Sequence, residues 1–175
     1  MTEKGINMGG IGIVGYVNNS GLGQIIKAFR DQKIVHSQFV IDHPIKGTFT
    51  NTLRVPFIKG SHSPQLSQFS EYLNECNPNI LIFIETPFNF EFFEFAAKRG
   101  IKNYVIPMVD SVGLSSFKPF LNYIEKFILP TRWGYEFYSR NLPANKVAHV
   151  PFPIDTDYFS PEKITKEQPG ETIIC

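Results

Sequence analysis

Two carboxylates stand where a reaction could use them. Glu85 follows the apolar run Ile80-Leu81-Ile82-Phe83-Ile84, and Asp110 follows the run from Tyr104 to Met108. A carboxylate at the end of a buried strand can accept hydrogen bonds from a hydroxyl-bearing ligand such as a sugar. It can also act as a base if its pKa is raised. The competing role is to cap the helix that follows. A third feature is the small-residue loop Ser20-Gly21-Leu22-Gly23, preceded by Asn18 and Asn19. It comes after a strand and before a helix, so its backbone N–H groups and the helix N-terminus favour an anion. If the loop meets a phosphate, a side chain at Gly23 should obstruct the ligand and spare the fold. If the glycines only make a tight turn, the same side chain should cost stability.

Other polar residues fit no reaction. A literal G-x-G-x-x-G at Gly10, Gly12 and Gly15 overlaps the first strand. A dinucleotide fingerprint must instead follow the strand and open the helix. His43 and His62 read as loop histidines and His149 as a strand residue. Cys76 and Cys175 have neither metal-ligand nor disulfide spacing. No Ser-His-Asp order, zinc spacing or Walker loop can be assembled. Lys98, Arg99 and Lys102 read as the solvated end of a helix.

These residues need a frame. Ile11 to Val17 reads as a strand, and Leu22, Ile25, Ile26 and Phe29 share one face of the helix after it. Phe39 to Ile41 is a second strand, ended by Asp42. Arg54 to Ile58 is a weak third one, held to an edge by Pro56. Ser63-Pro64 reads as a helix start, a hydroxyl cap before proline at the first helical position. Leu66, Phe69, Leu73 and Cys76 then mark the inward face up to Asn77-Pro78. The unbroken run Ile80 to Ile84 is the pattern of a parallel strand buried on both sides. A helix from about Glu91 to Arg99 stops at Gly100. Leu114, Phe117, Leu121 and Ile124 have helical spacing, but Pro119 must kink or split that helix. Phe127 to Leu129 is a strand, Tyr135 to Arg140 a short helix, and Val147 to Val150 a last strand.

Alternating strands and helices predict an α/β fold: an open, mainly parallel Rossmann-like sheet with helices on both faces. Ligands on such sheets bind at the C-terminal strand ends. The functional shortlist is therefore Asn18 to Gly23, Asp42-His43, Glu85-Thr86, Asp110-Ser111 and Thr131-Arg132.

Composition narrows the class. The chain has 175 residues, 42% of them hydrophobic, which suits one substantial core and argues against disorder. Net charge is +1, so no basic excess points to nucleic acid. Of 17 phenylalanines, seven fall between Phe69 and Phe95, as for an aromatic core or groove wall. There is no signal peptide and no long apolar run, which makes cytoplasmic residence the default. Nothing in the sequence supports a peripheral membrane contact.

Several segments together resemble the N-terminal half of GT4-like glycosyltransferases of the GT-B fold. Gly21 and Gly23 match the family's first-loop glycines. Phe127-Ile128-Leu129-Pro130-Thr131-Arg132-Trp133 is similar to its strand, Pro-Ser/Thr and short-helix segment. Asn141-Leu142-Pro143 through Val150 is similar to the next turn and strand. Asp155, Phe159 and Pro161 keep the D-x-x-x-F-x-P spacing of its interdomain crossing. There are departures: Phe152-Pro153 stand where the family usually has Asn-Gly, and no histidine ends a central strand.

The resemblance implies that residues 1–150 form the acceptor-side domain and that 151–175 cross toward a missing donor-binding domain. It implies transfer of a sugar from a nucleotide sugar to a glycan or other hydroxyl acceptor, with no essential metal and no cofactor, the nucleotide sugar being a co-substrate. The loop Ser20 to Gly23 would face the donor diphosphate, Asn18, Asn19, Thr131 and Arg132 would line the cleft, and Glu85 and Asp110 would stand on the acceptor side. The chain alone is expected to be inactive, with apolar surface left near Phe152 to Phe159. Two other readings compete: an NAD(P)-binding oxidoreductase domain, with Asp42 ending the second strand as its ribose acid, and a non-catalytic α/β binding module.

Overall fold

A computed structural model describes residues 9–18, 21–42, 48, 53, 55–85, 89–108 and 113–152. Seven strands form one sheet, and every neighbouring pair is parallel. They are β1 (Ile11–Tyr16), β2 (Ser37–Ile41), β3 (Phe57–Gly60), β4 (Ile80–Glu85), β5 (Lys102–Pro107), β6 (Lys126–Leu129) and β7 (Val147–His149). Their order across the sheet is β3-β2-β1-β4-β5-β6-β7. The chain thus builds outward from β1 in one direction, returns, and builds outward from β4 in the other. This is the doubly wound α/β class, with the reversal between β1 and β4.

β4 sits mid-sheet because its sequence permits nothing else. Leu81, Ile82, Phe83 and Ile84 are all buried, and a strand without a polar face must be covered on both sides. Alternate residues then supply two cores. Val14, Phe39, Leu81, Phe83, Val105 and Phe127 point to one face; Ile13, Ile82, Ile84 and Ile106 point to the other.

The first face is covered by α2 (Leu66–Cys76), α3 (Glu91–Ala97), α4 (Leu114–Phe117) and α5 (Arg132–Ser139). Its core is aromatic. Phe69 stacks on Phe92 at 4.1 Å and meets Phe39 edge-on at 5.4 Å, while Phe117 meets Phe127 edge-on at 5.3 Å. Asn103, fully buried, ties this layer to the sheet. Its amide donates to the carbonyls of Phe93 at 2.8 Å and Tyr123 at 2.9 Å. Among the described residues the second face carries one helix, α1 (Gly21–Asp31), docked through Ile25, Ile26 and Phe29.

Three local expectations need correction. The third strand begins at Phe57, not Arg54. The Pro56 carbonyl accepts the Gln38 N–H at 3.0 Å, so the proline leads into the ladder from the edge and never has to donate. α2 begins after Gln65, not at Ser63-Pro64. Gln65 and Gln68 form a reciprocal capping box, with the Gln68 side-chain oxygen accepting the Gln65 N–H at 3.1 Å. α5 begins at Arg132, three residues before the expected start, because the Thr131 hydroxyl accepts the Gly134 N–H at 3.1 Å. Pro119 does split its helix: α4 gives way to a 3-10 turn over Lys118–Tyr123. Gly100 ends the α3 segment with φ 78°, a conformation that favours glycine.

Candidate functional site

In a parallel sheet all C-terminal strand ends lie along one edge, so the topology brings the shortlist together there. Val14 is level with Phe83 in the β1–β4 pairing, and Glu85 is level with Pro107 in the β4–β5 pairing. Asn18 and Glu85 therefore leave the sheet on either side of the reversal point, where a crevice forms on folds of this class. Asn18 is buried, at 6% exposure. Asn19, Ser20, Thr86, Asp110, Ser111, Asp155, Phe159 and Pro161 lie outside the described residues, as does His43.

The glycines of this region have different tasks. The literal G-x-G-x-x-G is a packing device. A Cβ on Gly12 would fall 2.2 Å from the Tyr72 hydroxyl, and one on Gly15 2.5 Å from the Ile26 side chain. The first gap admits Tyr72 to Ser37, whose hydroxyl lies 2.8 Å away, and the second seats α1 on β1. Gly23 is constrained by the loop itself. A Cβ there would stand 2.0 Å from the Asn18 backbone carbonyl oxygen and 2.7 Å from its side-chain oxygen. The chain must fold Asn18 over the first turn of α1, and a side chain at position 23 has no room. Of the two outcomes that the sequence leaves open for a side chain at position 23, this crowding favours a cost in stability.

Other shortlisted residues are already engaged. The Asp42 carboxylate takes the Thr48 hydroxyl at 2.6 Å and the Lys59 ammonium at 3.2 Å. Thr131 spends its hydroxyl capping α5. Arg132 lies along that helix, its Nε donating to Glu136 at 3.0 Å. Thr131 and Arg132 are thus placed on the correct edge of the sheet, but their polar groups serve α5. The His149 ring lies 5.6 Å from that of Tyr135, tilted 30° to it.

A cavity of about 450 Å³ bounded by Asn74, Asn77, Asn79, Arg99 and Ile101 lies elsewhere. Asn79 and Ile101 immediately precede β4 and β5, which puts it at the opposite, N-terminal edge. Its Arg99 donates to Asn74 at 3.2 Å and Ser70 at 3.0 Å and lies 4.4 Å over the Phe95 ring. Lys98 pairs with Glu94 at 2.8 Å at the exposed end of α3, while Lys102 already opens β5. That pairing holds the Glu94 carboxyl below its usual range.

Among the described residues no three His, Cys, Asp or Glu side chains gather as a metal site would need, and no helix is long and apolar enough to cross a membrane. Tyr72 is the most perturbed acid, its pKa raised by burial, but it sits inside the aromatic core. The signal for that buried Tyr72–Ser37 pair was present in the sequence, as a tyrosine and a serine opposite small residues, yet neither residue type marks itself as buried.

The chain matches no protein-family model, no curated protein and no solved structure.

Proposed function

We propose that this chain is the acceptor-side domain of a nucleotide-sugar glycosyltransferase, with Glu85 and Asp110 on the acceptor side and the Asn18–Gly23 loop toward the donor diphosphate. The observation that carries the reading is topological. An all-parallel sheet reverses between β1 and β4, and Asn18 and Glu85, at the ends of those strands, flank that reversal. Backbone N–H groups at the start of α1 would oppose charge growing on the leaving phosphate. A carboxylate across the crevice would accept the proton of the attacking hydroxyl. Segment order supports the reading too: β6, the Thr131 cap, α5 and β7 follow one another as in the family the sequence resembles.

The dinucleotide alternative has less support. Its loop, Ser20-Gly21-Leu22-Gly23, lacks the third glycine spacing, and its ribose acid, Asp42, is paired with Lys59.

The test is transfer. Protein expressed from the complete reading frame should move sugar from a UDP-, GDP- or ADP-sugar to a hydroxyl acceptor, and Glu85→Gln should slow it about a hundredfold or more. The 175-residue chain alone should show no turnover. Absence of both binding and transfer of every nucleotide sugar tried would end this reading.

A further inference from the structure

The cavity at the N-terminal edge of the sheet is lined, among the described residues, by one cation and no carboxylate. The cation is Arg99. Neutral groups orient it: Nη1 donates to Asn74 at 3.2 Å, Nη2 donates to Ser70 at 3.0 Å, and the guanidinium carbon lies 4.4 Å over the Phe95 ring. None of the ion pairs among the described residues includes it. A guanidinium has five N–H groups, so about three remain for a ligand, in the planar fork that fits a carboxylate.

The end of α2 brings the other sign. Leu73 and Asn74 belong to its last turn, and Asn77 is its left-handed C-cap, with φ 42°. The last carbonyls of a helix carry a partial negative charge that favours a cation. Only the Leu73 carbonyl is taken up by the cap, accepting the Asn77 N–H at 3.1 Å. Asn77 and Asn79 are exposed on either side of Pro78, and their side-chain amides add acceptor oxygens. The apolar lining residues Leu73, Pro78 and Ile101 are themselves buried, so a hydrophobic ligand would find little surface here.

We propose that this cavity binds a free polar α-amino acid, with its carboxylate on Arg99 and its ammonium toward the end of α2 and the Asn77 and Asn79 amide oxygens. The pairing of charges selects a zwitterion. A phosphate dianion would have one arginine to meet it and a helix C-terminus to repel it. A simple cation would face Arg99, and an uncharged sugar would answer neither charge. The volume of about 450 Å³ suits a small molecule. The site shares no residue with the crevice at the opposite edge of the sheet and does not depend on the transfer reaction proposed above.

The test is amide NMR on the isotopically labelled 175-residue chain, titrated with glycine, L-serine, L-asparagine and L-glutamine. At least one should shift the amides of Asn77, Asn79, Gly100 and Ile101 saturably below about 10 mM. L-Serinamide, which lacks the carboxylate, and N-acetyl-L-serine, which lacks the ammonium, should each bind about tenfold more weakly than L-serine or worse. Arg99→Gln should weaken binding about tenfold. That variant also loosens the tie between α2 and α3, so Asn77→Gly provides a second one. Glycine suits the left-handed φ and keeps the cap N–H, so the fold should stand while binding weakens about threefold. No saturable shift with any of the four amino acids would overturn the proposal. So would equal affinity for L-serine and L-serinamide, tighter binding of inorganic phosphate than of any amino acid, or unaltered affinity in folded Arg99→Gln. Amino-acid binding by a complete protein that transfers no sugar would keep this site and remove the transferase; transfer without amino-acid binding would do the reverse.

Discussion

On one face of the sheet the core is aromatic and lies under four helices; on the other it is aliphatic and lies under α1. The difference is one of kind. Phe39, Phe69 and Phe92 touch one another with fixed ring geometry, so each ring sets the position of the next. Ile13, Ile26, Ile82, Ile84 and Ile106 fill the opposite face with branched, interchangeable shapes. The candidate site leans on the more forgiving side. Its glycine loop opens α1, and α1 is held by Ile25, Ile26 and Phe29. The aromatic face sets the fold, while the aliphatic face sets how firmly the loop is presented.

The hardest blow to that contrast would come at Phe69. Its ring is fully buried and contacts four other phenylalanines besides Tyr72. Phe69→Ala should cost about 3–5 kcal/mol, read from urea denaturation. A cost near 1 kcal/mol would mean the aromatic layer repacks freely and is not the rigid side.

On the aliphatic face, Ile26→Ala should cost about 2–3 kcal/mol, the lower end for such truncations. Its signature should be local. Amide exchange should quicken along Gln24–Asp31 more than in β4 or β5, because the missing side chain is what seats α1 in the gap over Gly15. Uniform quickening across the sheet would erase the proposed division between faces.

Gly23→Val should cost about 1–3 kcal/mol, since the clash is with the backbone carbonyl of Asn18 and the turn must shift to accept it. Thermal melts of the 175-residue chain measure this without any activity assay. An unchanged melting temperature would restore the view that position 23 tolerates a side chain and that glycine is kept there for a ligand.

What could be seen in the sequence follows from how local each signal is. Ile80 to Ile84 declared a central strand because burial on both faces is written in five consecutive residues. Asn77-Pro78 and Gly100 declared helix ends because their φ angles are intrinsic preferences. Ser63-Pro64 misled because a second, longer-reaching pair, Gln65 and Gln68, closes the helix two residues later. The inward face of α5, with Gly134 and Tyr138, was invisible for a different reason. Nothing in Arg132-Trp133-Gly134-Tyr135 says which aromatic turns inward until β6 and β7 fix the helix. The candidate site lies mostly in loops, where position depends on tertiary partners and not on the residues' own periodicity. Asp110 lies outside the described residues, and Glu85 is described only as the last residue of β4.

The smallest effect should appear at Tyr138, at the edge of the aromatic face. Its ring is fully buried against Phe127 at 5.2 Å, while its hydroxyl is buried without a hydrogen-bond partner. Removing an unsatisfied hydroxyl while keeping the ring should leave stability at pH 7 unchanged or raise it by up to about 1 kcal/mol. The pH dependence gives a sharper reading. Burial pushes the Tyr138 pKa up from 10.0 to about 12, because the phenolate is desolvated. Above pH 10 the unfolded chain loses this proton and the folded chain keeps it, so stability must fall as pH rises from 10 toward 12. Tyr72, raised by burial as well, adds to the same decline. Tyr138→Phe should flatten part of that slope, and Tyr72→Phe should flatten more while costing roughly 1 kcal/mol at pH 7 for the lost bond to Ser37. Denaturation midpoints at pH 7, 9, 10 and 11 for the three proteins make the comparison. An alkaline decline identical in all of them would show that neither hydroxyl is held in a dry core, and that the aromatic face is wetter than its geometry implies.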